Sequence, residues 1–169
     1  QHGLKYVMFH LMENPEPDGE ALSCALQKDF LKSIPEAEKN GFYSLLATRL
    51  ILGGRLEEAS DLIGMFDNSR YTAGFMGWIL FMKGKNTEAI ESFDADLKTY
   101  RKMTHSRSEY FRGMSGIFFV LALLKTRDAA LLPKMAKIIK KAKSYSYGFF
   151  SMLPIYDALD RMCEIQKGN

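Results

Sequence analysis

Cysteine is scarce in this 169-residue chain: only Cys24 and Cys163 are present, far apart and with no ligand-like spacing. Neither a disulfide framework nor a zinc site is therefore expected. Histidine is almost as rare. His2, His10 and His105 have no second His, Cys or carboxylate at a chelating spacing on one helix, so no metal centre is predicted. Long apolar runs are missing too. The longest, Ile117 to Leu124, has eight residues, against the roughly 20 that a membrane-crossing helix requires. No basic stretch leads into an apolar one near Gln1. A secretory leader is thus not legible, and the chain reads as an excised piece of a longer cytoplasmic polypeptide. Phosphate loops fail as well: Gly84-Lys85 is followed by Asn86 rather than Ser or Thr. Gly74-x2-Gly77 and Gly113-x2-Gly116 fall inside apolar helical stretches rather than after strands, where their expected role is close helix packing.

What the chain has is core material. Hydrophobic residues make up 47%, including twelve Phe, eight Tyr and ten Met, too many for a disordered segment. A chain of this length buries about 70% of its unfolded surface, so one globular domain spanning 1–169 is expected. Apolar residues recur at spacings of three and four throughout, and no alternating strand pattern competes. Helices are predicted over 20–32, 42–52, 55–66, 71–83, 108–125, 132–143 and 149–166, with a further one opened by Asn86 as its cap. Gly53-Gly54 is a natural stop, and Pro133 belongs in a first turn. The predicted class is all-α.

Two stretches share a scheme thirty residues apart. Tyr43-x2-Leu46-Ala47-x2-Leu50 leads to Gly54, Ala59 and Ile63, and Ala73-x2-Met76-Gly77-x2-Leu80 leads to Gly84, Ala89 and Phe93. Small side chains at Ala47, Gly77, Ala59 and Ala89 let paired helices approach, while Phe93 and Ile63 fill the groove beside them. These residues, over about 41–103, resemble tetratricopeptide repeats. The resemblance implies antiparallel helix pairs stacked as a right-handed superhelix that mediates protein–protein interaction. Residues 71–126, with Gly77-Trp78-Ile79-Leu80-Phe81, Ala89-Ile90-Glu91-Ser92-Phe93 and Gly113 to Leu124, also look like the helical accessory region of bacterial Swi/Snf-type helicases. That likeness implies a position outside an ATPase core.

Charge singles out the second half. Lys and Arg exceed Asp and Glu by only three over the whole chain, but the surplus collects in two segments after residue 97. Lys98, Arg101, Lys102, His105, Arg107 and Arg112 are interleaved with Tyr100 and Tyr110; Lys134, Lys137, Lys140, Lys141 and Lys143 precede Tyr145 and Tyr147. On a helix, Lys134, Lys137 and Lys141 share one face, and Met135, Ile138, Ile139 and Ala142 another. Arg101, Lys102, Arg107, Lys134, Lys137 and Lys141 are the candidate nucleic-acid contacts, since cations hold phosphates and neighbouring aromatics stack bases. The bland alternative is a solvated basic face. Acidic residues offer less: Glu57, Glu58 and Asp61 suit a helix start, and Asp94 and Asp96 point to different faces. Cys24 and Cys163 read as small buried hydrophobes, and Trp78, Phe75, Phe118 and Phe119 as core. No catalytic residue and no cofactor is expected. The favoured expectation is a non-catalytic scaffold that docks a protein or a neighbouring domain of its own chain; the alternative is a nucleic-acid-contacting accessory domain. No membrane partner is expected.

Overall fold

The computed structural model describes residues 19–65, 73–105, 107, 111, 114–145 and 152–168. Among them are nine α-helices, one 3-10 turn and no strand. The protein is all-α. His2, His10, Tyr110, Arg112, Gly113 and Tyr147, together with the side chain of Tyr145, lie outside the described residues. The chain forms two compact units, Gln1–Thr72 and Ala73–Asn169.

The first unit holds α1 (Gly19–Ala25), α2 (Lys28–Ser33), α3 (Glu36–Leu52) and α4 (Leu56–Gly64). A single helix over 20–32 is the sequence expectation; the structure breaks it at Gln27, whose backbone is extended. The break has a packing reason. At about 100° per residue, an unbroken helix would put Leu31 opposite Leu22, whereas Leu22, Ala25, Leu31 and Ile34 are all buried. Pro35 caps α3, and Phe42, Leu46, Ala47, Leu50 and Ile51 form its buried face. That face meets Ala59 and Leu62 of α4.

The second unit holds α5 (Phe75–Met82), α6 (Asn86–Thr104), α7 (Met114–Lys125), the 3-10 turn Ala129–Leu131, α8 (Leu132–Tyr145) and α9 (Leu153–Gln166). Individual contacts fix their directions. Gly74 at the start of α5 bonds Asp96 just past the middle of α6, and Gly77 lies against the earlier Phe93, so α5 and α6 are antiparallel. Gly74 approaches Ser115, Trp78 stacks on Phe118 at 4.7 Å, and the Lys125 ammonium sits 5.7 Å above the Phe81 ring. α7 therefore runs along α5 and against α6. Lys134 meets Phe119 in mid-α7, while Lys143 near the end of α8 bonds α9, whose Tyr156 sits beside Gly116 at the start of α7. α8 is thus antiparallel to α7 and parallel to α6. Trp78, Phe93, Phe119, Met135 and Tyr156 make up much of the fully buried centre.

The hairpins α3–α4 and α5–α6 close through the same turn. In the first, Arg55 N–H bonds the Leu50 carbonyl at 2.8 Å and Gly54 N–H bonds that of Ile51 at 3.1 Å; in the second, Lys85 bonds Leu80 and Gly84 bonds Phe81, both at 2.9 Å. Gly54 and Gly84 have φ of 75° and 77°. This is the Schellman arrangement, in which a residue with positive φ follows the last helical turn. The structure departs from two expectations. Asn86 does not cap α6: Lys85 occupies the cap and no side-chain cap bond forms, so Asn86 is the first helical residue. Gly74 is not inside a helix either. It caps α5 at φ 85°, and a Cβ there would come within 2.7 Å of the Ser115 Cβ. Gly77 does lie in a close helix contact, as expected.

Candidate interaction surfaces

The basic segments occupy α6 and α8. Their buried faces are apolar: Ala89, Phe93 and Leu97 on α6, and Met135, Ile138, Ile139 and Ala142 on α8. The lysines left over do two different jobs. Lys143 bonds both Asp157 and Asp160 of α9 at 2.8 Å, which holds its ammonium above the ordinary lysine range and staples the last two helices. Lys134 reaches Asp94 of α6 at 2.9 Å and lies 4.9 Å above the Phe119 ring. This ion pair reaches over Phe119 of α7 and links one side of α8 to one side of α6.

Register then places the other cations. Arg101 follows Asp94 by seven residues, and Lys141 follows Lys134 by seven. At about 100° and 1.5 Å per residue, each lies about 10 Å further along its helix and within about 20° of the same side. Lys98 and Lys137 fall between them, about 40° and 60° off the line, and Lys102 about 80° off it. Because the two helices run the same way, both rows extend from the ion pair in one direction. Lys98, Lys102, Lys137 and Lys141 are exposed and Arg101 is half-buried. Arg101 and Lys137 each also interact with another group of the protein. α8 contains no Asp or Glu, and Asp96, the one acid of α6 beyond Asp94, faces Gly74 instead. Arg107 is exposed past the end of α6, after His105.

A second surface escapes the sequence reading. α9 buries Tyr156, Leu159 and Cys163, yet a further apolar stripe on it faces outward. Ile155 is 43% exposed, Met162 46% and Ile165 70%, with exposed Ala158 between them. Their positions follow a heptad seam, the pattern by which one helix accepts another. The signal was present as apolar residues at steps of three and four, interleaved with the buried set. Periodicity reports both stripes and does not say which one the fold covers.

Cys163 is buried and Cys24 partly so, and both are free. Burial, with Asp160 and Glu164 nearby, pushes the Cys163 thiol up, away from the reactive thiolate. Arg55 grips Glu58 with two bonds of 2.6 Å at the start of α4. Trp78, Phe75 and Phe119 are buried as expected, and Phe118 is half-buried against Trp78. Among the described residues, no three His, Cys, Asp or Glu side chains come together as a metal-ligand group. No described helix is long and apolar enough to cross a membrane. No known protein family, curated protein or solved structure matches this chain.

Asp96 is the exception among the carboxylates. Burial raises its pKa, and the 2.9 Å bond from Gly74 N–H opposes that rise only in part. A carboxyl with a raised folded-state pKa favours folding below the ordinary carboxylate range. That contribution is lost as pH climbs through the raised value. Asp96→Asn keeps an acceptor for Gly74 and removes the charge. Its stability relative to the native chain is therefore expected to improve between pH 4 and pH 7, as urea unfolding at the two pH values would measure. A constant difference would mean that Asp96 does not titrate differently on folding.

Proposed function

We propose that this chain is a non-catalytic helical-repeat scaffold whose open end at α9 docks a helix from a protein partner or from a neighbouring domain of the same polypeptide. The observation that carries the reading is the outward stripe Ile155, Ala158, Met162 and Ile165 on the final helix of an antiparallel stack. Stacked helical units bury their faces against neighbours, and an end left apolar is one that takes another helix. The recurrence of one Schellman turn thirty residues apart supports tetratricopeptide-like pairing, as do the buried Ala47, Ala59 and Ala89. On this reading the pairs stack as a right-handed superhelix. The likeness of residues 71–126 to a helicase accessory region extends the proposal: the neighbouring domain is then an ATPase motor, and the scaffold carries no chemistry of its own. Two free cysteines fit a reducing, cytoplasmic setting.

A displayed library of helical peptides selected against the protein tests the docking surface. Binders with apolar residues at steps of three and four are expected, each at least about tenfold weaker on the Met162→Glu, Ile165→Glu double variant. Both positions are exposed, so the variant keeps its helical circular dichroism. Selected peptides that bind the variant equally well refute α9 as the docking face.

A further inference from the structure

We propose that the paired rows of cations on α6 and α8 form a binding site for the phosphate backbone of nucleic acid, on a surface separate from the outward stripe of α9. Four observations converge. The Lys134–Asp94 ion pair joins the two helices at 2.9 Å, and the parallel course of α6 and α8 carries both rows away from it together. Lys98, Arg101 and Lys102 on one helix thereby accompany Lys137 and Lys141 on the other. Asp94 stands at the head of the rows, one turn after exposed Glu91, and Lys134 already meets it. Within the second unit the large apolar residues found exposed lie elsewhere: Met103 falls on the far side of α6 from Asp94, Met82 is on α5, and Ile155, Met162 and Ile165 are on α9.

This composition selects the ligand. A helix that lies on a membrane inserts large apolar side chains between its cations, and the seam presents cations without them. Polyphosphate strands are bound by rows of Lys and Arg that displace condensed counterions, with no apolar insertion. Such contacts position a backbone and read no sequence. Lys134 adds a latent cation, because Asp94 already pairs with its ammonium. An approaching phosphate competes with that carboxylate, so Asp94 moderates the affinity of the whole seam.

The test uses fluorescence anisotropy with a labelled 20-base-pair DNA duplex and a labelled single strand of the same length, across 50–300 mM KCl. Arg101 and Lys137 hold other groups of the protein, so the variant is Lys98→Ala, Lys102→Ala, Lys141→Ala, all exposed positions. The control removes the same charge from exposed Lys28, Lys32 and Lys85. The seam variant is expected to weaken binding at least tenfold at 100 mM salt. It should also flatten the dependence of log K on log salt by about 2 to 3, as three lost phosphate contacts require. The control should shift affinity less than twofold. Asp94→Asn should tighten binding several-fold, a gain that a damaged fold does not produce. Stronger binding of the duplex or of the single strand identifies which form the seam fits. No binding at 50 mM salt, equal losses in seam variant and control, weakening by Asp94→Asn, or capture of phosphatidylserine vesicles without DNA would each overturn the proposal.

Discussion

Phe93→Ala is expected to lower the free energy of unfolding by about 4 kcal/mol, in the range for truncating a fully buried aromatic. Phe93 is completely enclosed, with its ring centroid 5.0 Å from that of Phe119 and 5.8 Å from that of Phe111. The loss combines the removed apolar surface with the cavity left between α5, α6 and α7. A second substitution makes the argument specific. A Cβ added at Gly77 would meet three ring carbons of Phe93 at 2.7–2.9 Å. Gly77→Ala alone is therefore expected to destabilise by about 1–2 kcal/mol, the overpacking cost exceeding the gain of about 1 kcal/mol from replacing a helical glycine. In the Phe93→Ala background the ring is gone, and Gly77→Ala should instead stabilise by up to about 1 kcal/mol. A double-mutant cycle by urea unfolding measures the coupling, expected at about 2 kcal/mol. Additivity would mean that the two residues do not share the space between α5 and α6.

Gly116→Ala is expected to cost about 3 kcal/mol or more, at the upper end for overpacking. The new Cβ would press into the backbone carbonyl oxygen of Phe111 and come within 2.9 Å of the Tyr156 hydroxyl. A backbone oxygen has no rotamer to escape into, and Tyr156 is itself buried. Relief requires the Phe111 backbone to shift away from α7 and Tyr156 of α9 to draw back. The same substitution at Gly41 of α3 carries the opposite sign. Nothing lies within 4 Å of a Cβ there, so Gly41→Ala should stabilise by about 1 kcal/mol through helix propensity alone. Chemical unfolding of the two variants side by side is the measurement. Equal effects would show that backbone propensity, rather than the contact with Phe111, governs position 116.

Much of the fold is legible in the sequence because helices are written locally. The three-and-four spacing of Leu46, Leu50, Ala59, Leu62, Ala89 and Phe93 names their helices and their buried faces. Gly54 and Gly84 mark the turns, since a positive φ after a helical run is a demand that glycine meets at little cost. The apolar face of α8 and the divergence of Asp94 from Asp96 also follow from helical phase.

Other features depend on residues distant in sequence, and no local pattern contains them. Gln27 breaks the first helical stretch so that Leu31 can join Leu22 in the core, a choice made by the surrounding packing. Gly74 leaves its helix to cap it because Asp96, 22 residues on, accepts its N–H while Ser115 leaves no room for a Cβ. Lys134 looked equivalent to Lys137 and Lys141 on its own helix. Forty residues separate it from Asp94, and that pair alone gives the two basic segments a common side. α9 carries two apolar stripes of similar spacing, and which one faces water depends on where α7 and α8 lie. The helices, their turns and the class of the fold follow from neighbours along the chain, and one-dimensional pattern is enough to read them. Which charges are spent and which apolar face stays open depend on helices meeting in space, because burial and ion pairing join residues far apart in the chain.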